Sequence, residues 1–250
     1  MNRPMIERAA ELLAQARRSR TPLDRLPEDC RPVTLADAEA IQAALVSRLG
    51  DRIAGWKVAR LPDGQLAYGV IVGARVVHSG GTVEAADVPL LGAEAEIAFR
   101  FVDDAPPRGD PYSFDDVAAR VVAFGAIEIV ASRYRDYHNT PVVERNADFM
   151  SNGAFVVGAD QAGWRSMDLV GIPVSIAFDD TTIVERTGGH VTGHPLHLAV
   201  DMVNALRATT GVRAGQMMTT GTYTGLNFAK GRQRVTVRFA GFEPVTIRIA

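Results

Sequence analysis

The chain has 250 residues, 47% hydrophobic and 22% charged, with 27 Lys+Arg against 29 Asp+Glu for a formal net charge of -2. Charges of both signs are interspersed, so there is no basic footprint for nucleic acid or an anionic membrane, and small molecules or other protein chains are the expected partners. The length supports a sizeable core without disulfides. The single cysteine, Cys30, cannot close an internal bridge, which fits a reducing compartment. Its context, Pro27-Glu-Asp-Cys30-Arg-Pro32, has no nearby histidine and does not suggest a nucleophile. With no signal-like apolar run at the start and no window near ~20 apolar residues, a cytoplasmic protein is expected.

In chain order, Ile6, Ala9, Leu12, Leu13 and Ala16 recur at helical spacing between about Pro4 and Arg18, and Thr21-Pro22 ends that helix. A second helix opens on Thr34-Leu-Ala-Asp37, a capping-box pattern, and closes at Gly50. Ile53 to Ala59 reads as a strand that carries Lys57 among apolar neighbours, and Tyr68 to Val72 as another. Gly80-Gly81 and Pro89 punctuate short β elements. Ser113-Phe-Asp-Asp116 starts a further helix leading into Val117 to Val122. Ser132 to Arg145, polar and aromatic, reads as a loop. Ala154 to Gly158 is a strand, and Val174 to Phe178 with Thr182 to Arg186 form a hairpin. Pro195 stands in the first turn of a helix whose core face is Leu198, Ala199, Met202, Val203 and Leu206. Val235 to Phe239 and Val245 to Ile249 alternate strictly and close the chain as a hairpin.

The chemistry centres on Gly92-Ala-Glu94-Ala-Glu96-Ile-Ala-Phe-Arg100. Side chains of a strand alternate between faces, so Ala93, Ala95, Ile97 and Phe99 share one side while Glu94 and Glu96 share the other, where they can converge on one cation. A half-buried strand with a solvated charged face has the same pattern. Phe124 to Ala131 is a continuous apolar run broken only by Glu128, the signature of a strand buried on both faces. An ionised carboxylate there needs a partner or a metal. Lys57 either snorkels to solvent or serves near a site as a cation or proton carrier. Asp148 is a turn residue or a supporting partner of the site. His190, His194 and His197 lie among glycines and Pro195 without helical i,i+4 spacing, so a zinc site is not expected. Ala214 to Gly225 runs from a strand into a Gly/Thr-rich turn whose amides and hydroxyls suit a carboxylate or phosphate, or form an ordinary turn. Three glutamates, a lysine and such a turn would suit Mg²⁺ or Mn²⁺ with positions open for a chelating 2-oxo acid.

The order Gly55-Trp-Lys57, Tyr68-Gly69, Gly92-Ala-Glu94-Ala-Glu96-Ile-Ala-Phe99, Ala126-Ile-Glu128, Ser132-Arg133, Ala147-Asp148, Pro195-Leu196, Ala214-Gly215 and Thr220-Gly-Thr222 resembles the fumarylacetoacetate hydrolase superfamily, in its 2-keto-4-pentenoate hydratase and 4-oxalocrotonate decarboxylase branch. The resemblance implies a mixed α+β fold with layered, largely antiparallel sheets, a Mg²⁺ or Mn²⁺ ion, and a homo-oligomer. A helical segment over 1-60 is expected to pack on a β-rich catalytic body over 61-250. The resemblance makes Glu94, Glu96 and Glu128 metal ligands and Lys57 a proton carrier, with Gly221, Thr222, Tyr68 and Asp148 near the substrate. The implied reaction is hydration of a 2-hydroxypenta-2,4-dienoate-like acid. Decarboxylation of a 4-oxalocrotonate-like acid, C–C hydrolysis of an acylpyruvate, and a non-catalytic acid-binding member are the alternatives. The chain departs from the hydratase pattern at Ala59-Arg-Leu-Pro-Asp63 and at Phe149-Met-Ser-Asn152, where substrate would be contacted.

Overall fold

The computed structural model describes all 250 residues. Helix α1 (Arg3–Ser19) begins where the Asn2 side chain accepts from the Met5 amide at 3.1 Å, and it buries the small-residue stripe Ala9, Ala10, Leu13, Ala14 and Ala16. Helix α2 (Leu35–Leu49) has the expected Thr34/Asp37 capping box and ends on Gly50 at φ 62°, a left-handed position suited to glycine. The two helices pack on each other.

The body is two sheets. The larger contains β1 (Ile53–Arg60), β2 (Leu66–Val72), β3 (Val76–His78), β5 (Gly92–Phe101), β6 (Val121–Val130), β7 (Asn152–Gln161) and β10 (Met217–Thr222) in the order β2-β1-β10-β5-β6-β7-β3, and β11 (Asn227–Phe228) joins the start of β5. Within it only β1–β10 and β3–β7 run parallel. The smaller sheet has the order β4-β13-β12-β8-β9, built from β4 (Thr82–Val83), β8 (Pro173–Phe178), β9 (Thr181–Thr187), β12 (Arg234–Phe239) and β13 (Val245–Ile249). Both terminal hairpins expected from alternation are present, β8 with β9 and β12 with β13. The fold is thus mixed α+β with largely antiparallel sheets.

Helices α3 (Phe114–Ala118), α4 (Val142–Ala147) and α5 (Leu196–Leu206) complete the chain. Helix α3 is shorter than expected because Val121 and Val122 already belong to β6, where β-branched side chains pack well. Helix α4 falls partly in the stretch read as a loop. It starts after Pro141 with no side-chain cap, so nothing local announces it.

The large sheet is covered on both faces. Ala93, Ala95, Ile97 and Phe99 of β5 point into the main core, while Ala98 belongs to a separate cluster with Phe124, Ala126, Phe155 and Val157. By strand alternation Glu94 and Glu96 share the face of Ala98. No helix is long and apolar enough to cross a membrane.

Candidate metal and substrate site

Strand register assembles the site. Glu94 lies directly opposite Glu128 across β5–β6, and Glu96 opposite Ala126. On the other edge of β5, Thr222 faces Glu96 and Thr219 faces Ala98, and Thr219 in turn pairs with Lys57 of β1. Glu94, Glu96 and Glu128 each offer an oxygen, and these oxygens lie within 4.8 Å of one another. Glu96 is 2% exposed and Glu128 fully buried, so the solvated-face alternative for this strand does not hold. Glu94 alone keeps partial access to solvent and marks the mouth.

The charges do not balance within the cluster. Lys57 Nζ donates to Glu128 Oε1 at 2.6 Å and to the Met150 carbonyl at 3.2 Å. Asn152 Nδ2 donates to the same Glu128 oxygen at 3.1 Å, and the Thr219 hydroxyl donates to Glu96. Glu128 Oε2 is buried with no hydrogen-bond partner. Burial, reinforced by Glu128, raises the Glu94 carboxyl to about 7, with Lys57 opposing. Burial and then the charges of Glu128 and Glu94 push Glu96 well above the usual carboxylate range. For Lys57, burial lowers the pKa, but Glu128, Glu94 and Glu96 together outweigh it and hold the ammonium above its ordinary value. One ammonium faces three carboxylates, one of which has an orphaned oxygen. That donor set fits a hard divalent cation with oxygen ligands.

The walls come from segments with long-range partners. Phe149, Met150 and Ser151 all adopt left-handed backbone, at φ 54°, 50° and 61°. This costly run of non-glycine residues turns the Met150 carbonyl toward Lys57 and starts β7 at Asn152. Gly69, the register partner of Lys57, permits it, since a Cβ there would stand 2.3 Å from the Phe149 carbonyl oxygen.

Lys57 and the three glutamates come together, with Thr222 beside Glu96. Gly221 has φ 107°, and the Thr222 hydroxyl accepts from the Thr224 amide at 3.1 Å. Tyr68 is not brought to the glutamates. It pairs with Val58, one residue out of phase with Lys57, so its side chain leaves the opposite face of the sheet and meets Glu39 of α2. Asp148 does not face them either. It is fully buried between Arg17 Nη2 at 2.7 Å and Arg133 Nε at 2.8 Å. Both arginines also donate to the Asn152 carbonyl, at 3.4 and 3.2 Å, so Asp148 supports the site through Asn152.

Sequence reasoning assigned no individual role in the site to Asn152, Thr219 or His190. His190 Nε2 lies 2.8 Å from the Thr220 carbonyl and braces the Gly/Thr turn. Thr219 carried a signal, being at the strand position that alternation places on the face of Lys57.

No family model matches the chain. It is 27% identical over 252 residues to a 2-keto-4-pentenoate hydratase of Paraburkholderia phymatum, covering 96% of this chain and 95% of the relative. Its fold matches that of the 4-oxalocrotonate decarboxylase from Pseudomonas putida G7, solved with magnesium and adipate, at a TM-score of 0.84 and 23% identity over 100% of this chain and 99% of that one. A Yersinia pestis CO92 protein assigned to the fumarylacetoacetate hydrolase family shares the fold more distantly, with a TM-score of 0.56 and 13% identity over 78% of this chain and 91% of that one. Likeness to the hydratase along nearly the whole sequence, together with the shared fold, agrees with the resemblance to the 2-keto-4-pentenoate hydratase and 4-oxalocrotonate decarboxylase branch of the fumarylacetoacetate hydrolase superfamily.

Proposed function

We propose that the protein is a metal-dependent hydratase that adds water to a 2-hydroxypenta-2,4-dienoate-like acid and yields a 4-hydroxy-2-oxo acid. The observation that carries the reading is the trio Glu94, Glu96 and Glu128, with oxygens within 4.8 Å of one another and Glu128 Oε2 unpartnered. These three would hold Mg²⁺ or Mn²⁺. When bound, the cation supplies Lewis-acid stabilisation of negative charge developing on the 2-oxo acid.

The chain's own residues do the rest. Lys57 is fixed by Glu128 and the Met150 carbonyl, so its Nζ has one position from which to move a proton. Its pKa stands high only because carboxylate charge surrounds it. Once that charge is neutralised, burial is the remaining influence, and Lys57 shifts toward the neutral amine able to take a proton in ketonisation. Thr222, opposite Glu96, and the Gly221 backbone would donate to the substrate carboxylate. The apolar cluster of Ala98, Phe124, Ala126, Phe155 and Val157 behind the glutamates limits water and strengthens each electrostatic contact.

Decarboxylation of a 4-oxalocrotonate-like acid is the second reading, favoured by the 0.84 TM-score to such a decarboxylase. Both reactions need the same cation and the same proton carrier, so product analysis separates them. Water incorporation at C4 without gas release is expected, and stoichiometric CO₂ would establish the decarboxylase instead. Calorimetric titration of chelator-stripped protein with Mg²⁺, with and without oxalate as a planar enolate mimic, tests the site itself. Saturable binding strengthened by oxalate and removed by Glu128→Gln is expected. Absence of binding in both conditions would sink the enzyme reading.

A further inference from the structure

Outside the glutamate cluster, an excess of positive charge collects where the end of α1 meets the Ser132-Arg133 corner. Arg17, Arg20, Arg75 and Arg133, together with Ser132, line a small recess, and Asp87 is the one carboxylate on its wall. Arg20 Nε and Arg75 Nη1 share Asp87, at 2.7 and 3.3 Å. Arg17 and Arg133 share Asp148 beneath. Four guanidinium groups are therefore balanced by two carboxylates.

Asp148 and the Ala131 and Asn152 carbonyls accept from Arg17 and Arg133, and three further observations show that the compensation is incomplete. Arg17 and Arg133 are each only 5% exposed at the side chain, so bulk water does not compensate them. Arg17 Nε is buried without any hydrogen-bond partner. Burial, followed by repulsion from Arg133, lowers the Arg17 pKa to about 10, with Arg75 adding to the fall. Planar guanidiniums with two donors on one edge suit oxyanions, and the negative end of α1 accounts for only part of the positive charge collected there.

We propose that this recess is a binding site for one small oxyanion of phosphate or carboxylate type, held by Arg17, Arg20, Arg75 and Arg133. The site is separate from the glutamate cluster and independent of the reaction assigned to it. The two join through one residue. Arg17 and Arg133 hold the Asn152 carbonyl while the Asn152 amide holds Glu128, so an anion that orders the arginines also steadies a proposed metal ligand.

The test is calorimetric titration of the chelator-stripped full chain with inorganic phosphate, and separately with acetate, at ionic strength held constant with chloride. Saturable one-to-one binding of at least one anion is expected, and the preferred anion identifies the source chemistry. Arg75→Gln should weaken that binding about fivefold, the size of one partly exposed charge contact. Asp87→Asn removes the competing carboxylate and should tighten it by a similar factor, a gain that misfolding cannot imitate. Binding of neither anion, or binding indifferent to both substitutions, would overturn the proposal. Neither substitution should move the Mg²⁺ titration, so failure here is distinguishable from failure of the metal site.

Discussion

Glu94 of β5 and Glu128 of β6 are direct cross-strand partners on the apolar face of the sheet. Like charges so placed destabilise a strand pair, and burial enlarges the effect. Lys57 pairs with Glu128 and leaves Glu94 without a cation of its own. The pair is stable as drawn only if a proton or a cation relieves it, and those two solutions exclude each other.

The metal-free protein should therefore lose stability as pH rises from about 4.5 to about 7. Glu94 is raised from 4.5 to about 7 in the folded state. Over that window the folded state binds more protons than the unfolded one, and the stability slope with pH is negative. Urea midpoints of chelator-stripped protein at a series of pH values measure this directly. Saturating Mg²⁺ should abolish the decline, and a midpoint that rises with pH in the metal-free protein would show that Glu94 is not held protonated.

Mg²⁺ affinity should follow the same group in the opposite sense. A proton on Glu94 competes with the ion, so affinity should fall by up to about tenfold per pH unit below about 7 and level off above it. Titrations at several pH values check the slope. A flat profile would remove Glu94 from the ligand set.

Lys57→Met should separate metal binding from turnover. The ammonium competes with a cation for Glu128, so its removal should leave Mg²⁺ binding intact or tighter. Turnover should fall by about 10²- to 10⁴-fold, the usual contribution of a positioned proton carrier. Parallel calorimetry and steady-state assays on one preparation give both numbers. Equal losses in the two would make Lys57 a structural partner of Glu128 instead.

Much of this centre was legible beforehand because it sits on regular strands. Period-two alternation put Glu94 and Glu96 on one face, and an apolar run flagged Glu128 as a charge needing a partner. Tyr68 shows the limit of that reasoning. Its distance from the glutamates depends on the pairing of β1 with β2, which matches it to Val58 and turns it toward α2. Asn152, Arg17 and Arg133 were less accessible still, since their roles rest on contacts up to 135 residues apart. The left-handed run Phe149–Ser151 contains no glycine, so nothing in its composition announces it.

Asp148→Asn should be among the most damaging substitutions away from the glutamates. The carboxylate receives Arg17, the Arg133 side chain and the Arg133 amide at 3.1 Å, all buried. Neutralising it strands two buried guanidiniums, an error that costs about 3–5 kcal/mol in comparable sites. Denaturant unfolding should show a loss of that order. A loss near zero would mean that water reaches the pair.

Gly69→Ala tests whether the strained turn matters for Lys57. Gly69 is absent from the positive-φ glycines, so its backbone would accept alanine, and the obstacle is contact alone. The added Cβ would meet the Phe149 carbonyl oxygen at 2.3 Å and carbon at 2.5 Å, both backbone atoms that cannot rotate away. Either β2 retreats or the Phe149–Ser151 turn shifts, and the Met150 carbonyl then leaves Lys57. Overpacking of this kind costs about 1–3 kcal/mol, and turnover should fall further than Mg²⁺ affinity because the glutamates on β5 and β6 do not move. Gly64→Ala is the matched control. At φ 85° with nothing within 4 Å, it carries backbone strain without any collision. It should lower stability by about 1 kcal/mol and leave turnover unchanged. If Gly69→Ala behaved like Gly64→Ala, the turn would be no part of how Lys57 is held, and the Met150 contact would be incidental to the site.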